Sequence, residues 1–279
     1  MNKPRRQCIF CDNFVDSKEH IWSEWMHDIL EGQPDAKYNR HTVTRWADGR
    51  EETTGPTGKP GNIFNIQVRS VCRDCNNGWM NRAEGAVKPF LRIMIAGEPI
   101  SIDSEQMGAL ARWCAHKFIV MEHAAAETSV TPRCDRVALR DRGVIPPYFR
   151  IYVGNHASKH RFGSTRHSHS MARSLANGPV PPLDGTTRNI QTITILMGRL
   201  FIHLNAARVD GFEIESTNFI SRVWDECRIW PSPNSSLVWP HRPLLDDAGL
   251  SMVSNTLETI FSVGKATGKI TWLDSLPGS

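Results

Sequence analysis

The 279-residue sequence predicts an α+β fold, and three features support this class. Two Cys-x-x-Cys pairs, one at Cys8 and Cys11 and one at Cys72 and Cys75, lie in the first part of the chain. Apolar stripes at helical spacing follow the second pair, and short alternating segments dominate the remainder. We therefore expect a cysteine-stapled module over residues 1–97, a helical connector over 98–147 and a β-rich domain over 148–279.

The composition is that of an ordinary soluble globular protein, with 40% hydrophobic and 22% charged residues. No apolar run is long enough to cross a membrane, and the basic N-terminus lacks the apolar segment of a secretory signal. We therefore expect a cytoplasmic protein without membrane contact. The formal net charge of +4 is compatible with a polyanionic partner but is too small to require one.

Four local patterns lie between the two cysteine pairs. Apolar residues over 21–30 recur at helical spacing, and a glycine and a proline then end that helix. Residues 38–46 alternate as a strand, whereas 51–61 are rich in Thr, Gly and Pro and are predicted to form a loop. Residues 62–71 alternate again, which predicts a half-buried strand that leads into the second pair.

Two amphipathic helices are predicted after the second cysteine pair. The first runs from Asn76 to about Ala96, bends at Pro89 and ends at Gly97. The second begins with Ser104 as its N-cap. Their buried faces are rich in Met and aromatic residues, which is typical of core packing rather than of a cofactor site.

The rest of the chain predicts a β-rich domain with proline-bounded segments and no internal repeat. The predicted elements are a strand over 148–153, a hairpin over 190–206 that turns near Met197-Gly198, aromatic segments over 228–231 and 238–240, and a helix over 253–261. No motif assigns this domain a role. Its partner is DNA, another protein or a ligand that gates the first module, and the pattern does not indicate an oligomeric state.

The cysteines indicate a metal site rather than a disulfide framework. Four of the seven form the two pairs, and Cys114, Cys134 and Cys227 are isolated. An odd number of cysteines, more than half of them in Cys-x-x-Cys pairs, is typical of metal binding. Two such pairs can supply four thiolates to one tetrahedral zinc. Because four thiolates close the coordination shell, the predicted zinc is structural.

The order of motifs over residues 8–84 resembles the zinc-containing His-Me finger (HNH, ββα-metal) endonucleases. It consists of the first cysteine pair, Glu19-His20, a strand, and the second cysteine pair directly followed by Asn76. Phage recombination endonucleases that cut branched DNA share this order. The resemblance implies a β-hairpin and a helix that together bind one catalytic Mg²⁺ or Mn²⁺, and an activity that hydrolyses DNA phosphodiester bonds. The long interval after His20 then has to hold an inserted helix and hairpin.

Carried over residue by residue, the resemblance makes His20 the general base, Glu19 the acidic metal ligand and Asn76 the amide metal ligand. The chemistry agrees, because a histidine titrates near neutral pH and hard oxygen ligands suit Mg²⁺ or Mn²⁺. Two points stay open. The remaining metal ligand is one of three residues within a few helical turns of Asn76, namely Asn77, Asn81 or Glu84. His41 is a rival for the base.

A non-catalytic interpretation of the same residues is a zinc-ribbon module that binds nucleic acid or protein. Glu19-His20 would then be a surface pair at a helix start, Asn76 an N-cap, and Glu84 a solvated charge or salt-bridge partner. A third possibility is a bacterial defence or toxin effector whose C-terminal domain senses a signal, which differs in role but not in chemistry.

Basic residues near the predicted site are candidates for phosphate contacts in DNA. They are Lys18, Arg69, Arg73 and Arg82. The Arg- and His-rich stretch over 133–173 is either a second phosphate-binding track or a solvated loop. Within it, His167-Ser168-His169 is a weak candidate for a second metal site, because no cysteine or carboxylate lies nearby in the sequence.

Overall fold

A computed structural model gives the fold of most of the chain. It describes residues 5–29, 38–45, 51–59, 66–159, 161–169, 171–172, 188–209, 212, 214, 226–232, 234–241, 244–260 and 271–272. For 38–45, 51–59, 171–172 and 271–272 the description covers the backbone path.

The first cysteine pair leads into strand β1 (Ser17–His20), which pairs antiparallel with β4 (Gln67–Val71). The helix predicted over 21–30 is instead a shorter 3-10 helix over Glu24–Ile29. Its start is delayed because the Ile21 amide donates to the Ile66 carbonyl at 3.0 Å, which extends the strand pairing by one residue. The observed β4 confirms the second half of the strand predicted over 62–71, and residues 62–65 lie outside the described part.

The prediction of a loop over 51–61 is wrong, because residues 51–59 form a strand. Strand β3 (Glu51–Lys59) pairs antiparallel with β2 (Tyr38–Arg45), and the register runs from Tyr38 opposite Lys59 to Arg45 opposite Glu51. The register shifts between Arg40 and Thr42, so that the Gly-Pro step of β3 falls in a bulge. A proline is tolerated there because the bulged residue makes no ladder hydrogen bond.

The helix predicted from Asn76 to Ala96 is confirmed, with a wider turn at its start. A short helix α1 (Arg73–Cys75) leads through a π-helical turn over Asn76–Met80 into α2 (Asn81–Ala96). Gly97 ends α2 with a positive φ of 82°, a conformation that favours glycine.

The second predicted helix is α3 (Ser104–Glu122), which a 3-10 helix extends over His123–Thr128. Its N-cap is Asp103 rather than Ser104, because Asp103 forms a reciprocal capping box with Gln106. Helix α4 (Arg133–Arg142) follows. The stretch over 133–173 is therefore not a solvated loop, because it holds α4 and two strands of the C-terminal sheet.

The C-terminal half is β-rich, as predicted. Its elements are β6 (Phe149–His156), β7 (Phe162–His169), β8 (Met171–Ala172), β9 (Ile190–Met197), β10 (Leu200–Ala207), β11 (Arg228–Trp230), β12 (Ser236–Trp239), β13 (Leu244–Leu245), α5 (Asp247–Ser254) and β14 (Thr271–Trp272). Strand β5 (Ile100–Asp103) lies earlier in the chain, directly before α3.

The main sheet has the strand order β11-β6-β10-β9-β7, and β13 pairs parallel with β6. Strands β9 and β10 form the predicted hairpin, with Met197 opposite Leu200. Strand β12 pairs with β5, and β14 pairs with β8. The predicted C-terminal helix begins earlier than expected, as α5, and the chain is helical again over 256–260.

Helix α3 lies at the centre of the molecule, and most of its residues from Trp113 to Glu122 are buried. It packs against α2, β5, β6 and β12 within one cluster of buried apolar residues that reaches from Cys8 to Trp239. The α+β class is thus confirmed, and the boundaries at 97 and 147 stay predictions. None of the helices described is both long and apolar enough to span a membrane.

Candidate functional site

The four paired cysteines converge on one point. Their sulfur atoms all lie within 4.8 Å of one another, and all four residues are buried. The Cys11 sulfur is 3.5 Å from that of Cys72 and 3.6 Å from that of Cys75. A tetrahedral zinc with Zn–S bonds of about 2.3 Å places its sulfur ligands about 3.8 Å apart. The cluster is therefore close enough to hold a metal ion and fits zinc.

The electrostatics of the cluster also favour a cation. The Phe10 and Cys75 amides point at the sulfurs of Cys8 and Cys72, at 3.5 and 3.4 Å. A hydrogen bond from the Cys75 thiol lowers the pKa of Cys8 to about 4, whereas burial raises the pKa of Cys11 to about 11. One thiolate is thus stabilised at the expense of its neighbours, and a bound cation is needed to keep all four ionised.

Neighbouring elements hold the first cysteine pair in place. The Ile9 amide donates to the Ser70 carbonyl on β4 at 3.0 Å. Two arginines of α4 donate to main-chain carbonyls of the first cysteine pair. Arg133 donates to the Cys8 carbonyl at 3.1 Å and Arg136 to the Ile9 carbonyl at 2.9 Å. These two members of the basic stretch over 133–173 therefore stabilise the fold of the metal site.

The second cysteine pair brings Asn76 against β1. The Asn76 Nδ2 donates to the Ser17 Oγ at 2.9 Å and to the Lys18 carbonyl at 3.0 Å. Because the Lys18 carbonyl can only accept, the facing atom must be the amide nitrogen. Asn76 is thereby fixed beside the strand that carries Glu19 and His20, and its Oδ1 takes part in neither of these two bonds.

Glu19 is buried, with a relative exposure of 7%, and pairs with Lys117 of α3. The Lys117 ammonium lies 2.5 Å from the Glu19 Oε1 and 3.0 Å from the His20 carbonyl oxygen. The same ammonium lies 3.2 Å from the Glu84 Oε2. Lys117 is itself only 2% exposed, so this is a buried ion cluster of two carboxylates and one cation.

Glu84 receives two further hydrogen bonds from the segment after β1. The Ser23 hydroxyl donates to its Oε2 at 2.6 Å, and the Trp25 indole donates to its Oε1 at 3.0 Å. Burial raises the pKa of Glu84, but the charge of Lys117 and these hydrogen bonds outweigh it, so the pKa is lowered overall. The carboxylate is therefore held in its ionised form.

His20 is more accessible than Glu19, because 22% of its side chain is exposed. Its Nε2 lies 2.6 Å from the Gln67 Nε2 on β4 and 3.6 Å from the Glu24 Oε1. An amide nitrogen can only donate, so the His20 Nε2 accepts and carries a lone pair in this arrangement. A basic nitrogen next to the surface can accept a proton.

The remaining predicted site residues are on the surface or outside the described side chains. Asn77 and Asn81 are exposed, and neither lies in the ion cluster of Lys117. The four candidate DNA contacts are exposed as well: Lys18, Arg69, Arg73 and Arg82. His41 lies on β2, of whose side chains nothing is described.

Sequence reasoning missed Lys117, Ser23 and Trp25. Lys117 carries a sequence signal, because it lies three residues after Cys114 and directly before Phe118, on the apolar face of α3. A charged residue on a buried helical face requires a partner. Which carboxylates supply that partner is visible only in three dimensions.

His167 and His169 meet a carboxylate that the sequence analysis did not anticipate. The His167 Nδ1 lies 3.2 Å and the His169 Nε2 lies 3.3 Å from the Glu258 Oε1. Among the described residues, however, the four cysteines are the set whose donor atoms all approach one another closely enough for a metal. The two histidines of the His-Ser-His motif therefore form a hydrogen-bonded cluster with Glu258.

No family model, curated protein or solved structure matches this chain.

Proposed function

We propose that this protein is a zinc-stabilised, metal-dependent endonuclease of the His-Me finger type that hydrolyses DNA phosphodiester bonds. The observation that carries the proposal is the position of Asn76. The amide that directly follows the last cysteine donates to the main chain of Lys18, one residue before Glu19-His20. The proposed acid and base lie on β1, which pairs with β4, and the proposed amide lies in the helical segment that follows β4; this order of elements supports the resemblance.

Two oxygen atoms are available for the catalytic ion. Within the described part of the chain, hydrogen bonds to Glu19 use Oε1, and those of Asn76 use Nδ2. This leaves the Glu19 Oε2 and the Asn76 Oδ1, which are hard ligands of the kind that Mg²⁺ and Mn²⁺ prefer. When bound, such an ion supplies positive charge that offsets the charge on the phosphate and the leaving oxygen.

His20 supplies the base. Its Nε2 carries a lone pair, lies close to the surface and is oriented by Gln67, so it can take a proton from the attacking water once that contact yields to substrate. The Glu24 Oε1 lies 3.6 Å from the same nitrogen, so a carboxylate faces the proposed base. The exposed Lys18, Arg69, Arg73 and Arg82 are positioned to contact the phosphate backbone.

The test is plasmid nicking across a Mg²⁺ and Mn²⁺ titration. We expect His20→Ala to lose cleavage by on the order of a hundredfold or more while zinc content and fold are kept. Glu19→Ala and Asn76→Ala should raise the concentration of divalent ion needed for cleavage, because each removes an oxygen ligand. Asn234→Ala is the matched control, because Asn234 is exposed in the C-terminal half.

Each contrary result has a specific meaning. Robust cleavage that survives His20→Ala would contradict the assignment of the base and point to His41. Absence of cleavage by the wild type with either metal, on supercoiled, linear or branched DNA and on RNA, would contradict the nuclease and leave the zinc-ribbon binding module. DNA affinity should in that case be indifferent to His20.

A further inference from the structure

Lys117 contacts both residues of the Glu19-His20 pair. An ammonium group has three N–H donors, and three acceptors surround this one. They are the Glu19 Oε1 at 2.5 Å, the His20 carbonyl at 3.0 Å and the Glu84 Oε2 at 3.2 Å. The Trp113 ring lies 5.9 Å from the same nitrogen. With all three donors engaged, the Lys117 ammonium is held in one orientation. It in turn holds the carboxylate of Glu19, the proposed acid, and the main-chain carbonyl of His20, the proposed base.

The Glu84 carboxylate is bonded both to Lys117 and to two residues of the segment after β1. Its Oε1 accepts from Trp25, and its Oε2 accepts from Ser23 and faces Lys117. A carboxylate with donors on both oxygens is fixed and has neither oxygen left for an ion, whereas the hydrogen bond to Glu19 engages Oε1 alone. Glu84 is therefore a poor ligand for a divalent ion, although its place on α2 makes it a candidate by sequence.

We infer that Lys117 is a positioning residue that holds the Glu19 carboxylate through Oε1 and so leaves Oε2 as the oxygen that would bind a divalent ion, and that Glu84 anchors Lys117 and would not be a metal ligand. This inference rests on the proposed nuclease function. It removes Glu84 from the three candidates for the remaining metal ligand and leaves the exposed amides Asn77 and Asn81, or water. Groups that orient a metal ligand typically change metal affinity or activity by about 10- to 100-fold when they are lost.

The informative variant is the double substitution Lys117→Met with Glu84→Gln. It removes one positive and one negative charge, so wild type and variant both carry one excess negative charge in the cluster. The net charge of the cluster is thus matched, and what changes is the contact that holds Glu19 Oε1. Methionine has nearly the shape of lysine, and the amide carbonyl introduced by Glu84→Gln can still accept from Ser23 or Trp25, so the packing is preserved. Because the buried Glu19 loses its cation, we expect the variant to be less stable than the wild type, and circular dichroism and zinc content verify its fold before Mn²⁺ binding is measured.

The experiment measures Mn²⁺ binding by the full-length, zinc-loaded protein, from the loss of free Mn²⁺ signal in electron paramagnetic resonance, together with nicking. We expect the double variant to bind Mn²⁺ about tenfold or more weakly and to need correspondingly more Mn²⁺ for cleavage. Wild-type affinity and wild-type cleavage in a folded double variant would overturn the inference. Wild-type protein that neither binds Mn²⁺ nor cuts would instead overturn the proposed function, and the inference with it.

A second measurement keeps the inference falsifiable if the double variant does not fold. Crystals of the wild type soaked in Mn²⁺ should show the anomalous peak of the ion beside the Glu19 Oε2, with the Lys117 ammonium still on Oε1. A Glu84 oxygen within about 2.2 Å of the manganese, or Lys117 displaced from Glu19, would contradict it.

Discussion

The ammonium of Lys117 lies in the protein interior between two carboxylates, and its burial determines the energetics of the cluster. Removing charges from water costs several kcal/mol per ion, which close partners and hydrogen bonds can offset. Here every donor of the ammonium has an acceptor within 3.2 Å. Such a cluster contributes orientation more dependably than net stability, because a well-packed apolar replacement is often as stable. A role in positioning a functional carboxylate is consistent with this balance.

Acid sensitivity is the prediction at this scale. The pKa of Glu84 is lowered in the folded protein, so its ionised form contributes stability that is fully present above the unfolded value of about 4.5. That contribution is lost as the pH falls through the folded pKa. Glu84→Gln should therefore be less stable than wild type at about pH 6 to 7, and its unfolding free energy should fall less steeply below about pH 4.5. Urea unfolding at a series of pH values measures both.

Glu98→Gln is the control for this measurement, because Glu98 lies just beyond α2 with an exposed side chain. Its curve should follow that of the wild type. Parallel curves for wild type and Glu84→Gln throughout the acid range would mean that Lys117 does not hold the Glu84 charge in the folded state.

At the scale of the elements, the two cysteine pairs bring together segments that are distant in the chain. The Cys8 carbonyl accepts from Arg133, 125 residues away, and the Cys11 sulfur contacts that of Cys72, 61 residues away. These links join the start of the chain to β4, α1 and α4. The cysteine cluster consequently helps to hold β1 against the helical segment that carries Asn76.

Loss of the metal should therefore disrupt this part of the fold. We expect the purified protein to contain one tightly bound zinc, and Cys72→Ser to lose it and to unfold residues 8–84, since structural zinc contributes folding free energy directly. Metal analysis and limited proteolysis report the two effects. Cys134→Ser is the matched control, because Cys134 is exposed and outside the cluster. Protein that is folded and active with neither zinc nor iron would contradict the metal centre.

At the scale of the whole molecule, one cluster of buried apolar residues joins the segments that carry the four paired cysteines, α3 and the C-terminal sheet. Some basic residues over 133–173 are engaged by neighbouring elements, whereas Arg140, Arg142 and Lys159 of the same stretch are exposed. Arg133, Arg136 and Arg166 are bonded to main-chain or side-chain acceptors of neighbouring elements. The candidate DNA contacts near the cysteine cluster, namely Lys18, Arg69, Arg73 and Arg82, are exposed as well. This division removes the three engaged arginines from the proposed DNA surface and leaves the exposed basic residues near the cysteine cluster as its first candidates.

DNA binding tests this division. Single substitutions to glutamine of the four exposed basic residues, Lys18, Arg69, Arg73 and Arg82, should each weaken binding across all sequences. Each should also lower the slope of log affinity against log salt by about one, because one fewer counterion is released. Arg140→Gln, which changes an exposed arginine of α4, is the control. An unchanged slope in all four variants would place the DNA track elsewhere, with the remaining basic residues over 133–173 as the next candidates.

The sequence by itself determined the features that depend on neighbouring residues. The cysteine pairs, the helix after Cys75 and the hairpin near Met197 all follow from short-range spacing and periodicity, and the structure contains each of them. It also determined the α+β class, because apolar stripes and alternation report which face of an element is buried. Where local composition misled, as over 51–61, a pairing partner in β2 overrode the Gly- and Pro-rich pattern.

Tertiary structure alone decided the surroundings of the proposed site. Lys117 meets Glu19 across 98 residues, and Glu84 meets Ser23 across 61 residues. Glu258 reaches His167 across 91 residues. A single sequence shows that a buried charge needs a partner, but many carboxylates could supply one. The choice among them is made by the packing of α2 and α3 against β1, since an ion pair forms only where the backbone brings two side chains within a few ångströms.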